Sequence, residues 1–289
     1  MSTIYNQDYA GYLLVFFKTE SESLFYAYSE DGLFWKELNQ NQEILKATLG
    51  NKSIRDPHVI RVEDNTFKMI STDSWDSQNI LAWDSKDLIH WENERLIPIA
   101  KKGSLNTWAP EVFYDDTEEK YMVFWSSSID KYRDHRLYKA YTTDFIDFTE
   151  AEILFDPGYN VIDGTIVKDK DIYYLYFKDE RQATPNEKSI KVATSLSAGT
   201  GYPGPTSPEA KRLTDTWVEG PILIKSLTEE KWYLYYDEYT RKRWGCSVST
   251  DLINWTKLPY QDFLLPEGVR HGGIIPVTNN ELSLLKKHF

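Results

Sequence analysis

One short string recurs along this 289-residue chain: a small polar residue, an Asp two positions on, and an aromatic ring four positions after the Asp in each copy. It reads Ser29-Glu-Asp31-Gly-Leu-Phe-Trp35, Ser85-Lys-Asp87-Leu-Ile-His-Trp91, Thr142-Thr-Asp144-Phe-Ile-Asp-Phe148 and Ser249-Thr-Asp251-Leu-Ile-Asn-Trp255. The aspartates are spaced by 56, 57 and 107 residues, the last close to twice 53, so a degenerate copy is expected near residue 197. Ala193-Thr-Ser-Leu-Ser197 stands there, ahead of a Gly/Pro-rich insertion from Gly199 to Pro208. A second string keeps the same beat: Tyr12–Phe17, Thr66–Ile70, Lys120–Trp125, Ile172–Phe177 and Trp232–Tyr236 are short aromatic runs of strand character.

A period near 54 residues with about four short strands per unit is the sequence signature of a β-propeller. Five periods nearly exhaust the chain, which predicts an all-β, five-bladed β-propeller in a single domain, residues 1–289. The aromatic content of 15% fits, because aromatic rings favour pleated, half-buried surfaces. Blades after the first open with Arg55–Ile60, Ala109–Phe113, Ile162–Val167 and Glu219–Ile224, whereas the N-terminal unit has no opening strand. Arg270–Val277 supplies one, so the ring is expected to close by pairing the C-terminal strand with a blade whose outer strands come from residues 11–45. Glu281–Lys286 then competes with Tyr12–Phe17 for the same ladder position.

Innermost strands of a propeller line its central channel. Reading one residue from each opening strand gives Asp56, Glu111, Asp163, Glu219 and His271, one per blade. Singly, an acid at a strand start is an ordinary turn former. Together, four carboxylates at one channel mouth repel one another unless a function or a cation keeps them there. Converging carboxylates suit a hard-cation site or glycoside cleavage. Trp75, Trp108 and Tyr236 suit sugar stacking, though packing between blades accounts for any one of them. Arg181, Arg270 and His58 are candidates for sugar hydroxyls, with plain structural roles equally open.

The balance of the composition excludes several classes. With 33 Lys+Arg against 45 Asp+Glu the formal charge is −12, which argues against nucleic acid or an anionic membrane as partner. The lone Cys246 forms no internal disulfide and reads as a buried small hydrophobe. No apolar run approaches the ~20 residues of a membrane span. The opening Met1-Ser-Thr-Ile-Tyr-Asn-Gln-Asp lacks the regions of a signal peptide, so a cytoplasmic location is expected. Gly199–Gly204 matches G-x-G-x-x-G but contains Pro203 and opens no helix, so it reads as a loop. Asn51-Lys-Ser and Asn254-Trp-Thr are glycosylation sequons by pattern, which a cytoplasmic chain would not use.

The strings Ser53-Ile-Arg-Asp56-Pro, Asn106-Thr-Trp-Ala-Pro-Glu111, Val161-Ile-Asp163-Gly-Thr, Trp217-Val-Glu219-Gly-Pro and Arg270-His271-Gly-Gly, in that order, resemble the blade motifs of glycoside hydrolase family 43. The resemblance implies a five-bladed propeller and inverting hydrolysis of arabinose- and xylose-containing polymers. On it, Asp56 is the general base, Glu219 the general acid, and Asp163 tunes and orients the acid. His271 matches a histidine that faces a metal ion or water in the channel, so the resemblance requires no cofactor and leaves a structural calcium or sodium ion open. A small oligosaccharide is the implied partner.

Two departures stand out: Arg55 precedes the Asp-Pro motif where many members have His, and Glu111 stands where related sequences often have Asp. The chain also leaves no room for the C-terminal β-sandwich of the xylosidase branch, which tilts the expectation to α-L-arabinofuranosides, most plausibly 1,5-linked and cleaved in exo fashion. A β-xylosidase on the same scaffold and a non-catalytic sugar-binding propeller are the rivals. A fructan hydrolase would show a Trp-Met-Asn-Asp-Pro string and a Glu-Cys acid motif, and neither is present.

Overall fold

The computed structural model describes residues 8–130 and 132–289; the N-terminal segment read for a signal peptide lies, up to Gln7, outside them. Among the described residues twenty strands form five four-stranded antiparallel sheets. Blade 2 runs Arg55–Arg61, Phe67–Thr72, Ile80–Ser85 and Trp91–Ile97, from the innermost strand outward. Blade 3 runs Trp108–Asp115, Lys120–Ser127, Arg136–Thr142 and Glu152–Phe155. Blade 4 runs Val161–Asp169, Ile172–Asp179, Ile190–Ser195 and Lys211–Arg212, and blade 5 runs Glu219–Lys225, Trp232–Glu238, Arg243–Ser249 and Thr256–Lys257. Blade 1 takes Tyr9–Phe16, Phe25–Ser29 and Lys36–Glu37 from the start of the chain and its innermost strand, Gly272–Thr278, from the end. The closing pair is antiparallel, with Tyr12 opposite Pro276 and Phe16 opposite Gly272. The five-bladed propeller and its mode of closure are as the repeat predicts.

The recurring Asp string is the turn between the third and fourth strands of a blade. In each copy one Asp carboxylate oxygen accepts two successive backbone N–H groups: Leu33 and Phe34, Ile89 and His90, Ile146 and Asp147, Ile253 and Asn254. The preceding Ser or Thr hydroxyl donates to the same carboxylate and accepts another N–H. The residue after the Asp adopts positive φ: Gly32 77°, Leu88 64°, Phe145 61°, Leu252 63°. Blade 4 keeps the Ser but not the Asp, and Ser195 Oγ turns to the carbonyl of Thr200 in the insertion.

These turns also join the blades. Tyr26 of blade 1 donates its hydroxyl to the Leu88 carbonyl in the turn of blade 2 at 3.0 Å. Tyr176 of blade 4 does the same to Leu252 of blade 5 at 2.6 Å, and Tyr235 of blade 5 reaches Gly32 of blade 1. A buried phenol needs such a partner, and the turn's carbonyl supplies it. The apolar core is divided accordingly into five clusters, each shared by neighbouring blades; one joins Tyr12, Leu14 and Phe16 to Ile222, Ile224 and Tyr235. Cys246 is buried in that cluster.

Residues 281–286 do not compete for a ladder position. They belong to an α-helix, Asn279–His288, which Thr278 and Glu281 open as a capping box. Leu282 and Leu285 bury against blades 1 and 2, and the Glu281 carboxylate takes Arg61 of blade 2 at 2.7 and 2.9 Å. Among the described residues no helix is long and apolar enough to cross a membrane.

Candidate active site

The five positions read as equivalent lie at three different heights. Each innermost strand of blades 2 to 5 carries a bulge: the register shifts between Arg55 and His58, Trp108 and Glu111, Ile162 and Thr165, Glu219 and Ile222. Asp56, Ala109, Asp163 and Gly220 occupy the bulge itself, with φ of 47°, 46°, 53° and 58°. Glu219 therefore stands one residue before the bulge, level with Arg55 and Trp108. Glu111 stands two residues past it, level with His58 and deeper in the channel. Bulges re-aim side chains, and here they bring Asp56, Asp163, Glu219 and His271 to one pocket of about 90 Å³, with Arg55, Trp75, Trp108 and Arg270 around it.

The bulged N–H groups bond to the preceding blade. Ala109 N donates to Thr72 Oγ1 (2.8 Å), Asp163 N to Ser126 Oγ (3.0 Å), and Gly220 N to Asp163 Oδ2 (3.1 Å). Gly220 is required as glycine twice over, because its φ is positive and a Cβ would lie 2.7 Å from the His271 ring. The pocket's backbone is thus fixed by ties between neighbouring blades.

Asp56 accepts from Thr72 Oγ1 at 2.9 Å, and its other oxygen lies 3.3 Å from His271 Nδ1. Burial works against the Asp56 charge, but His271, Arg55 and Thr72 outweigh it and hold the carboxyl below its usual range. Burial likewise opposes a charge on His271, yet its bond to Asp56 and the fields of Asp163, Asp56 and Glu111 hold the imidazole up to about 9. Burial pushes the Asp163 carboxyl up to about 6, with Glu219 and Asp56 adding to burial and His271 opposing it. Glu219 is gripped by two cations, Lys178 Nζ on one oxygen at 2.9 Å and an Arg270 amine on the other at 3.0 Å. Arg270 Nε also lies 2.8 Å from the Asp237 carboxylate, which burial pushes up to about 6.

Several predicted contacts lie elsewhere. Glu111, only 6% exposed, does not line the pocket; burial pushes its carboxyl up to about 8, and it sits 3.8 Å from His58 Nδ1. Burial and the charge of His271 push His58 down to about 4, and its ring lines a separate cavity with Ile60, Tyr114 and Pro276. Arg181 is also outside the pocket: it pairs with Asp179 and Glu209 and covers the Tyr159 ring at 3.9 Å. Tyr236 packs between blades 4 and 5.

Trp75 and Trp108 do line the mouth. Their rings meet edge to face at 5.0 Å, Trp108 Nε1 donates to the Trp75 carbonyl at 2.8 Å, and Trp108 stacks on Tyr132 and His135. Trp75 is 57% exposed, and the Arg55 guanidinium lies 5.0 Å from its ring. Sequence reading missed Thr72, Ser126, Lys178 and Asp237. Each is paired across the ladder with the residue just before a bulge, and each is the last or last-but-one residue of an aromatic strand that ends in polar side chains. That polar terminus was the available signal.

Among the described residues no three His, Cys, Asp or Glu side chains group so as to hold a metal ion. The channel offers two imidazole nitrogens that are buried and without a hydrogen-bond partner, His271 Nε2 and His58 Nδ1. Imidazole nitrogens do not make a site for calcium or sodium, which take several oxygen ligands.

Solved structures share this architecture. A thermostable family-43 glycoside hydrolase superposes with a TM-score of 0.56 at 20% identity, covering 72% of each chain. The endo-arabinase of Bacteroides thetaiotaomicron VPI-5482 superposes with a TM-score of 0.57 at 18% identity, covering 74% of this chain and 81% of that one. At these identities the likeness shows the fold alone. An α-L-arabinofuranosidase of Bifidobacterium longum subsp. longum is 29% identical over 59% of this chain, which spans only 20% of that relative's length. Residues 7–283 match the family-43-related model described as "Probable glycosyl hydrolase domain", and the chain belongs to that glycosyl hydrolase family.

Proposed function

We propose that this chain is an inverting glycosidase that releases α-L-arabinofuranosyl residues from 1,5-linked, arabinan-derived oligosaccharides. The observation that carries the reading is the meeting of Asp56, Asp163 and Glu219, from three blades, in one pocket. An inverting hydrolase needs a carboxylate that accepts a proton and a carboxylic acid that gives one, roughly 6.5–9.5 Å apart so that water fits between. Asp56, kept anionic by His271, suits the base. It takes a proton from water as the water oxygen bonds to the anomeric carbon. The glycosidic bond breaks on the opposite face, and the leaving oxygen receives the proton of Glu219.

Lys178 and Arg270 then stabilise the carboxylate that Glu219 becomes, with no reorganisation at the moment of reaction. Asp163 orients this end of the site through Gly220, whose N–H it accepts. Trp75 and Trp108 offer ring faces and edges at the mouth for the sugar. The arabinoside preference draws on the named activity of the Bifidobacterium relative. Incubation with nitrophenyl α-L-arabinofuranoside and β-D-xyloside, beside linear 1,5-arabino-oligosaccharides, tests it. Faster release from the arabinosides supports the reading, and faster release from the xyloside replaces it with a β-xylosidase.

A further inference from the structure

A buried lysine with two carboxylates stands behind the assigned acid. Lys178, its side chain 3% exposed, lies one residue from the end of the second strand of blade 4 and donates to Glu219 Oε2 at 2.9 Å. On the same ammonium sits Glu180 Oε2, itself a buried atom, at 2.6 Å. Glu180 follows the strand directly, and its N–H donates to the Asn160 carbonyl at 2.9 Å, which fixes where the side chain starts. Its other oxygen pairs with Lys188, which is also buried. Charges therefore alternate along Lys188, Glu180, Lys178, Glu219 and Arg270. Neither Lys178 nor Glu180 lines the pocket.

Acid catalysis makes that order of charges matter. A general acid works from its protonated form, whereas an ammonium at hydrogen-bond distance favours the ionised form. Once Glu219 holds a proton it no longer balances Lys178, and an ammonium buried without a carboxylate is costly. Arg270 avoids the difficulty, because its side chain is partly exposed and pairs with Asp237 as well. Lys178 has no outlet to water. Among the described residues, Glu180 is the one carboxylate besides Glu219 in ion contact with it, and the Tyr239 ring lies 4.8 Å from its nitrogen. Burial opposes the lysine's charge, yet Glu219, Glu180 and Asp163 outweigh burial and hold the ammonium above its usual range.

Resting on the function proposed above, we infer that Glu180 is a positioning residue for the general acid: it holds Lys178 while Glu219 carries its proton, and so keeps the acid form available before each turnover. When Glu219 has given that proton to the leaving oxygen, the same ammonium lies between two carboxylates and stabilises the new charge. Lys188 competes for Glu180 and sets how much of it Lys178 receives. The other titratable neighbours are Arg270, Asp163, Asp237 and Tyr239 around Glu219, and His135 and Tyr239 beside Glu180. None of these supplies Lys178 with a carboxylate in contact.

The test is the pH profile of kcat/KM on nitrophenyl α-L-arabinofuranoside. In Glu180→Gln, Lys178 is left to Glu219 alone, and the alkaline limb should move down by about one pH unit, a ten-fold change in the protonated fraction. Lys188→Gln leaves more of Glu180 to Lys178 and should move the limb up. If either variant fails to fold, the other decides. The downward shift should vanish when Glu180→Gln is combined with Lys178→Met, since no ammonium then remains to be shared. An unmoved limb, a fall in rate with an unchanged profile, or a downward shift that persists in the combined variant overturns the proposal and leaves the hydrolase reading intact. If the native protein cleaves neither arabinosides nor xylosides, that reading falls. The sharing of Lys178 is then judged by carbon NMR titration of the Glu219 carboxyl, its signal assigned with Glu219→Gln. A lower midpoint in Glu180→Gln than in the native protein sustains it, and equal midpoints overturn it.

Discussion

Asp237 lies directly across the antiparallel ladder from Glu219, and the guanidinium of Arg270 bridges the two carboxylates. Like charges opposite one another destabilise a sheet. Arg270 offsets that repulsion and is itself held in place by it. Asp237→Asn should loosen Arg270 from Glu219 and lower kcat/KM by about ten-fold, the cost of one misplaced charge-assisted contact. Circular dichroism should show the fold retained, and an unchanged kcat/KM would remove Asp237 from any part in the site.

Replacement of the two assigned proton carriers should be far more damaging. Asp56→Asn and Glu219→Gln are expected to lower kcat by at least about a hundred-fold, the lower end for acid–base groups, while melting as the native protein does. Activity above a tenth of native in either would sink the assignment. Proton NMR of the first-formed sugar should show the anomer opposite to that of the substrate, as inversion demands.

Stability should fall as pH rises through the neutral range. The Glu111 carboxyl is pushed up to about 8, so between about 4.5 and 8 the folded chain binds a proton that the unfolded chain has released. The stability this proton brings is complete at pH 4.5 and is lost by pH 8. His271, held up to about 9, extends the loss: its contribution is complete below about 6.5 and gone above 9. Differential scanning calorimetry from pH 5 to 9 should show the melting temperature falling in the native protein and falling less steeply in Glu111→Gln. Parallel curves would mean that Glu111 titrates normally.

The C-terminal helix is locked by an ion pair whose guanidinium side chain is 4% exposed. Glu281→Ala leaves Arg61 buried without its carboxylate and removes one half of the capping box, so a loss of roughly 3 kcal/mol in urea denaturation is expected. Thr278→Ala removes the cap alone and should cost about 1 kcal/mol. Equal effects of the two would place the helix's stability in its cap rather than in Arg61.

Much of this was legible from sequence because the repeat has a mechanical cause. Asp31, Asp87, Asp144 and Asp251 each tie a turn, and Tyr176 and Tyr235 of the aromatic runs reach such turns from the preceding blade, so both strings keep the blade's period. Asp56, Asp163 and Glu219 could be found as acids on inner strands. Their heights could not, since a one-residue bulge alters where a side chain points without disturbing the spacing of motifs. Lys178 and Asp237 belong to second strands and reach the site by pairing across the ladder, a relation that appears only when register is known. The helix at Asn279–His288 was hidden by its brevity and by following a strand without a break.

Ring closure has a consequence for when the site exists at all. Arg270 and His271 immediately precede Gly272–Thr278, the last of the twenty strands to be made, and one steadies Glu219 while the other holds Asp56 anionic. A chain with that strand detached still carries both assigned carboxyl groups but has lost one partner of each, keeping Lys178 on Glu219 and Thr72 on Asp56. Closure of the ring therefore completes the surroundings of the pocket: the last strand to be made brings the second cation to Glu219 and the imidazole to Asp56.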